Sequence, residues 1–392
     1  MVPGAGCLRS ARGTVRILNV NALLDPVTGG GTAERTMQMS RALCDAGLDC
    51  SILTTDVGLT NDLLTRLEGI RVTAYRCFLK RFYLPWVRYS EIRREVECAD
   101  VIHLMGHWTV LNALVYLAAM AGKKPYVVCP AGALRIYGRS RILKIVYNLL
   151  VGERLIRNAS AWIAITEEER AQFEAYGVER DKVFVIPNGI DPEDFPNEGE
   201  TGFRDKHGIG NRPFILFVGR LNAIKGPDIL LEAFCRGQHA WPEWHLVFAG
   251  PDGGLLSMLK SNAAKCSAHD QVHFIGYVGG VEKSVAYHAA DMLVIPSRHE
   301  AMSIVALESG ISGTPVLLTD QCGFDVVERV GGGKAVPATV EGVQAGLVEM
   351  LSDRAKLTVM GNRLRDYVRD NYTWVVVVRR YLGLYRKLFA KA

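Results

Sequence analysis

The sequence has no C-x-x-C pair, no low-complexity tract, no internal repeat at solenoid period and no large excess of either charge. Its nine cysteines (Cys7, Cys44, Cys50, Cys77, Cys98, Cys129, Cys235, Cys266 and Cys322) are odd in number and mostly apolar in setting. That argues against a disulfide framework or a zinc site, and for reduced, buried thiols in a cytoplasmic protein. The 46 basic and 41 acidic residues leave a net charge of +5, which suits an anionic ligand or a membrane surface but is too mild for a nucleic-acid partner. No apolar run is long enough to span a bilayer, and the longest, Val110 to Ala121, already contains Asn112. Residues 1–13 have no apolar h-region and read as a disordered tail in which Cys7 is a poor lipidation site.

What is present is the composition of a folded protein. The chain has 392 residues, 49% hydrophobic and 22% charged, enough for two sizeable cores. Strand-like runs at Val15–Val20, Asp49–Leu53, Val101–Leu104, Tyr126–Cys129, Ala161–Ile165 and Val183–Ile186 are mostly separated by helical stretches. One of these is a helix over Thr32–Ala46 that follows a glycine loop at Gly29–Gly31. Residues 187–202 hold three prolines and three glycines and read as a linker. The alternation then restarts with strands at Phe214–Val218, His245–Ala249, Val272–Ile275, Met292–Ile295 and Pro315–Leu318. The simplest architecture is α/β, with two Rossmann-like doubly wound domains facing each other across a cleft, at 14–190 and 191–373. Ligands of such sheets bind beyond the carboxyl ends of the strands, so the cleft is the predicted site.

The strand-end loops carry the chemistry. Gly219 permits a tight turn after the strand Phe214–Val218, and Arg220 and Lys225 place two cations near the next helix start. Cations with free backbone N–H groups are what a diphosphate requires as its leaving bond breaks, although an ordinary basic surface pair is an equal reading. The Gly29–Gly31 loop, with Gly30 and Gly31 nearest the helix, brings backbone close to a phosphate or is a plain strand-to-helix turn; it is not G-x-G-x-x-G. Glu300 and Glu308 are eight positions apart, about 80° past two full helical turns, so they would not share a helical face. Ile304, Leu307 and Ile311 set a helix starting near Ser303, which leaves Glu300 on the preceding loop and Glu308 inside the helix. Two carboxylates flanking a helix N-terminus suit an anion bearing sugar hydroxyls; the plainer reading is a dipole-favoured Glu and a solvated one.

With these motifs in place, the chain resembles the large retaining glycosyltransferase family of GT-B fold, often called family four, whose hallmark is two glutamates separated by seven residues. Gly219-Arg220 with Lys225-Gly226 looks like its "GR…KG" element, and Pro187-Asn-Gly-Ile-Asp191 like its hinge motif. Gly29–Gly31 is similar to its N-terminal glycine loop, and Phe274-Ile-Gly276-Tyr277 to the segment that lies against the base. The likeness runs from about Val15 to Phe389. It implies transfer of a hexose-type sugar from a UDP- or GDP-linked donor to a glycan or lipid-linked glycan, with configuration retained and neither cofactor nor metal. Arg220 and Lys225 would hold the diphosphate and Glu300 the sugar hydroxyls. The backbone of Ala301, Met302 and Ser303 would seat sugar or phosphate, and Glu308 the ribose. No D-x-D occurs in the sequence, and the cation pair can fill that electrostatic role.

Two positions depart from the family. Met105 stands where members often carry the second histidine of His-x-His, after His103; either His107, two residues on, takes over as a catalytic residue or the site dispenses with that histidine, while His103 reads as a core histidine. Ala301 stands where glycine is common. Met105 is also the one feature favouring a non-catalytic nucleotide-sugar-binding or scaffold subunit; another GT-B reaction such as nucleotide-sugar epimerisation is the remaining alternative.

The acceptor is expected on the N-terminal domain. Lys80–Arg88 mixes three cations with three aromatics, and Arg135, Arg139, Arg141 and Lys144 follow Pro130-Ala-Gly132. These suit peripheral contact with the inner face of a membrane or are snorkelling side chains around core aromatics. Pro130-Ala-Gly132 with Leu134 resembles a "P-x-G-x-L" segment of polysaccharide-assembling members, which implies a surface-glycan pathway. The helix-like run 374–392 is expected to return to the N-terminal domain, with amphipathic membrane contact as the rival reading.

Overall fold

Strands that alternate with helices pair in parallel, because each helix carries the chain back to the end from which the strand set out. A computed structural model, which describes residues 9–10, 13–136, 140–197 and 200–390, shows this arrangement twice. The chain divides into one unit of residues 1–189 and 374–392 and a second of 190–373.

The first unit is built on β1 (Arg16–Val20), β2 (Asp49–Thr55), β3 (Arg71–Tyr75), β4 (Val101–Met105), β5 (Tyr126–Cys129), β6 (Ala161–Ala164) and β7 (Val183–Val185). Their spatial order is β7-β6-β5-β4-β1-β2-β3, parallel throughout. β4 and β5 are buried along their whole length, so both faces are covered by helices and their sequences run apolar rather than alternating. The second unit has β8 (Phe214–Val218), β9 (His245–Ala249), β10 (Val272–Gly276), β11 (Met292–Ile295), β12 (Val316–Thr319) and β13 (Gly333–Val336), ordered β10-β9-β8-β11-β12-β13 and again parallel. In each sheet the strand order reverses beside its first strand, at β1/β4 and at β8/β11. Such a reversal opens a crevice beyond the carboxyl ends. Each unit has its own core, around Leu104, Val115 and Phe173 in the first and around Phe217, Phe234 and Leu246 in the second.

Three details differ from the sequence expectation. β3 and β13 were not anticipated; both are short, and β3 is half-exposed along most of its length, so neither announces itself as an apolar run. Gly29–Gly31 is not an open loop before a helix at Thr32. The helix spans Pro26–Asp45, capped by Asp25 accepting from Val27 N and Thr28 N, and is interrupted only at Gly30, where φ is 62°. The first helical turn thus precedes the glycines, and Gly30 supplies a backbone twist that an L side chain resists. The expected tail at 1–13 lies mostly outside the described residues; within it, Arg9–Ser10 pairs antiparallel with Gly13–Thr14.

The C-terminal helix Trp374–Phe389 packs within the first unit, burying Trp374, Val377, Val378, Tyr381, Leu382, Leu384 and Tyr385. The hinge motif explains the fit. A Cβ on Gly189 would lie 2.5 Å from Trp374 Cδ2, so the absent side chain is where the indole sits. Arg35, fully enclosed, donates to Asn188 Oδ1 at 2.8 Å, to the Ile186 carbonyl at 2.8 Å and to the Tyr381 hydroxyl at 2.6 Å. One guanidinium ties the first helix, the hinge and the last helix together. In the second unit, Ile190 N donates to the Tyr372 carbonyl at 2.8 Å, closing that unit's two ends side by side.

Candidate functional site

The strand reversal of the second unit lies between β8 and β11, and the loops leaving these two strands carry the expected residues. After β8, Gly219 (φ 157°) lies against the end of β9 so closely that a Cβ on Gly250 would meet its carbonyl oxygen at 1.9 Å. The chain then turns through Arg220, which is half-buried, and Asn222, whose Oδ1 accepts from Lys225 N at 3.0 Å. Gly226 (φ 66°) precedes the helix Pro227–Gly237, and a Cβ there would come within 2.0 Å of the Pro296 carbonyl in the loop after β11. Glycine is required at Gly226 twice over, for its dihedral and for the close approach of the two loops.

That approach brings together residues 75 positions apart. Lys225 Nζ lies 2.8 Å from Glu300 Oε1, which also accepts from the Ser297 hydroxyl. The loop is held from behind: Glu300 N donates to the Gln321 carbonyl at 2.8 Å and Ser303 N to the Cys322 carbonyl at 2.9 Å. Gly323 (φ 62°) leaves room for the Ala301 carbonyl, which a Cβ would meet at 2.0 Å. The helix Ile304–Ile311 then begins with Ser303 as its cap and no side-chain cap bond, so its first amides are not satisfied by the usual side-chain oxygen. The Ser303 hydroxyl is itself buried, without a partner among the described residues. Amides with no capping oxygen, a buried hydroxyl and a Lys–Glu pair form a polar rim able to hold an anion and to accept hydrogen bonds from hydroxyls.

Glu308 is not the solvated helix glutamate of the plainer reading. It is buried, with Oε1 2.7 Å from Lys283 Nζ and Oε2 accepting from the Tyr287 hydroxyl at 2.6 Å. Burial and the neighbouring Glu308 charge push the Tyr287 phenol well above its ordinary pKa, so it donates rather than ionises. Each carboxylate oxygen keeps a further lone pair for a ligand. Lys283, Tyr287 and Ser297 escaped the sequence reading; the signal for the first pair was a polar i, i+4 set on the helix Gly280–Ala289. Gly276 (φ 79°) ends β10, and Tyr277 beside it is 60% exposed.

In the first unit the expectation at His107 needs correction. The side chain is 1% exposed, packed edge-on against Trp108, Tyr147 and Tyr176, with Nε2 3.1 Å from Asn148 Oδ1. Burial lowers its pKa to about 4. A ring enclosed in this way presents no face to a sugar; of the aromatic residues that enclose it, Trp108 is its neighbour in sequence, and Tyr147 and Tyr176 come from distant stretches of the chain. His103 is also fully buried, and neither ring nitrogen has a partner among the described residues. Gly30 and Gly31 stand in the first helix, where a Cβ on Gly30 would meet nothing within 4 Å. Of the basic residues after Pro130, Arg135 and Arg141 are exposed, Lys144 lies 5.4 Å from the Trp108 ring centre, and Arg139 falls outside the described residues. In the 80–88 stretch, Trp86 is 73% exposed and meets Phe78 edge-on at 5.9 Å. Among the described residues no three His, Cys, Asp or Glu side chains group as metal ligands, and no helix is long and apolar enough to cross a membrane.

Comparison with known proteins bears on this geometry. Residues 200–367 match the family model for glycosyl transferases group 1, and residues 30–189 that for a glycosyl transferase 4-like domain. The chain is 30% identical over 383 residues to an uncharacterized glycosyltransferase of Methanocaldococcus jannaschii, covering 91% of this chain and 94% of that one. It is 28% identical over 398 residues to a D-inositol 3-phosphate glycosyltransferase of Xylanimonas cellulosilytica, covering 91% and 89%. The fold is similar to that of Anabaena HepE in complex with UDP and glucose, with a TM-score of 0.79 at 17% identity, covering 95% and 100% of the chains. It also matches sucrose-phosphate synthase from Thermosynechococcus elongatus, with a TM-score of 0.75 at 19% identity, covering 96% and 100%.

Proposed function

The chain belongs to the GT-B glycosyltransferases of family four, and from that premise we propose that it moves a hexose from a UDP- or GDP-linked donor to a glycan or lipid-linked glycan, with retention of configuration. The observation that carries the reading is the 2.8 Å contact between Lys225 and Glu300 at the strand reversal. It joins a cation suited to a leaving diphosphate with a carboxylate suited to a sugar hydroxyl. HepE, similar in fold, is described in complex with UDP and glucose, which supports a nucleotide-sugar donor.

In this reading the diphosphate lies at the first amides of the helix Ile304–Ile311, between Arg220 and Lys225. As the anomeric C–O bond breaks, charge grows on the phosphate oxygen, and two fixed cations stabilise it more than they do the ground state. Glu300, held by Ser297, accepts from the donor hexose, and Glu308, held by Lys283 and Tyr287, accepts from the ribose. The departing phosphate oxygen takes the acceptor proton on the face it leaves, so no enzymic nucleophile is needed. With Arg220 and Lys225 supplying the positive charge, the step needs no metal. Pro130-Ala-Gly132 with Leu134 supports a role in surface-polysaccharide assembly on the cytoplasmic side.

The test is a thermal-shift panel of UDP, GDP and ADP, followed by turnover of the matching sugars with glycan, lipid-linked and D-inositol 3-phosphate acceptors. A nucleotide at a hundred times its dissociation constant adds about 2.7 kcal/mol of stability. Glu300→Gln is expected to keep nucleotide stabilisation and Lys225→Ala to weaken it, since Lys225 meets the diphosphate, while both lose turnover by about a hundredfold or more. Wild-type turnover in both variants would remove the assignment.

A further inference from the structure

The strongest unassigned feature is an apolar helix stripe that faces outward. Residues 141–157 run as one helical segment through a π-turn at Asn148–Gly152, with helical dihedrals at both junctions. Ile142, Ile145, Val146, Leu149 and Leu150 recur at i, i+3, i+4, i+7 and i+8, the pattern by which a helix normally covers a core. Here that stripe is turned to solvent: Ile142 is 76% exposed and Leu149 and Leu150 are each 69% exposed. The opposite face docks the helix, through Tyr147 OH donating to the Thr109 carbonyl and through buried Leu155 and Ile156.

Charge and composition decide what would cover it. Residues 140–152 contain Arg141 and Lys144 and no acidic residue. Exposed Arg135 lies just upstream, and exposed Arg154 just downstream. The stripe itself is aliphatic, whereas protein interfaces concentrate aromatic, Met and Arg anchors. At 1.5 Å per residue, the stripe is about 12 Å long, too short to cross a bilayer but suited to lying in its surface. We propose that this face lies in the headgroup–acyl boundary of an anionic lipid surface, its aliphatic side chains inserted and Arg141 and Lys144 meeting the phosphates. The segment packs on Thr109 and Trp108, in the loop after β4, so the lipid surface would stand beside the carboxyl ends of the first sheet. A lipid-linked acceptor would then need no diffusion through bulk water. The inference does not rest on the donor-site reading.

The experiment is flotation of the full chain with phosphatidylcholine vesicles, with and without phosphatidylglycerol, at low and high salt. The chain is expected to float with the anionic vesicles, less at high salt, and to lose at least tenfold in partitioning in Leu149→Ser/Leu150→Ser. Arg141→Gln is expected to weaken partitioning about fivefold. Donor turnover in solution should be unchanged in these variants, which separates loss of lipid binding from loss of fold. Absence of wild-type flotation, or flotation unchanged in the double variant, overturns the proposal. So does sedimentation as a dimer that the double variant breaks, without vesicle binding, because the stripe would then be an interface between copies.

Discussion

His107 packs among three aromatic rings, and burial holds its pKa down at about 4, against 6.5 for a free side chain. His103, enclosed beside the Arg35 charge, is held down at about 3 by burial first and that charge second. In both cases the folded pKa lies below the unfolded one, so the unfolded chain takes up protons first as pH falls. Their stability contribution is complete above pH 6.5 and is lost as pH drops from there toward 4 for His107 and 3 for His103. His107 alone accounts for about 3 kcal/mol over its range. His107→Gln, which keeps a partner for Asn148, is expected to flatten the fall in unfolding temperature between pH 6.5 and 4. Calorimetry at a series of pH values checks this, and a wild-type slope would contradict it. At Gly226 the constraint is steric: an alanine there must adopt φ 66° and displace the Pro296 carbonyl. Gly226→Ala is expected to cost at least about 1–2 kcal/mol, read as a lower unfolding temperature, and to weaken nucleotide stabilisation by separating the two loops.

At the scale of elements, the helix Gly280–Ala289 presents Lys283 and Tyr287 to Glu308 on the helix Ile304–Ile311. If Glu308 holds the ribose, Tyr287→Phe removes one of its two orienting partners, a charge-assisted hydrogen bond worth about 1.5–3 kcal/mol. Affinity for a nucleoside diphosphate is expected to fall about tenfold, while affinity for inorganic pyrophosphate stays put; calorimetric titration of both ligands separates the cases. An equal loss for both would show that Tyr287 supports the fold rather than the ribose contact. The buried parallel strands were legible in the sequence because strands covered on both faces read as continuous apolar runs, as at β8 and β11. The strand β3 was not, since RVTAY sits half in solvent and carries no such run. The helix start at Ser303 was legible from apolar spacing, and that placed Glu300 on its loop. The Lys225–Glu300 contact was not legible, because it depends on Gly226 and Pro296 meeting across two loops 70 residues apart in sequence. The same holds for the 141–157 stripe: its periodicity is visible in the sequence, but not the face it presents.

For the molecule as a whole, the two units differ in how their chain is assembled. The second is one continuous stretch, Ile190–Thr373, with its own core and with its ends joined by the Ile190–Thr373 bridge. The first is discontinuous and needs Trp374–Phe389 to finish it. Seven buried side chains of that helix contribute roughly 10–20 kcal/mol of apolar burial, as much as or more than the net stability of an ordinary domain. Its Tyr381 hydroxyl is also one of three acceptors for the buried Arg35, so removing the helix leaves a charge in the interior with a lost partner and an opened face. A fragment of residues 190–373 is therefore expected to unfold cooperatively on its own and, on the proposed reading, to be stabilised by nucleoside diphosphate. A fragment of residues 14–189 is expected to be insoluble or molten, with near-ultraviolet circular dichroism lost. Supplying residues 374–392 as a peptide, or as a fusion after residue 189 through a flexible linker, should restore a cooperative transition. A cooperative 14–189 fragment without that helix would mean the first sheet closes its core unaided, and that Arg35 finds its partners within the hinge alone.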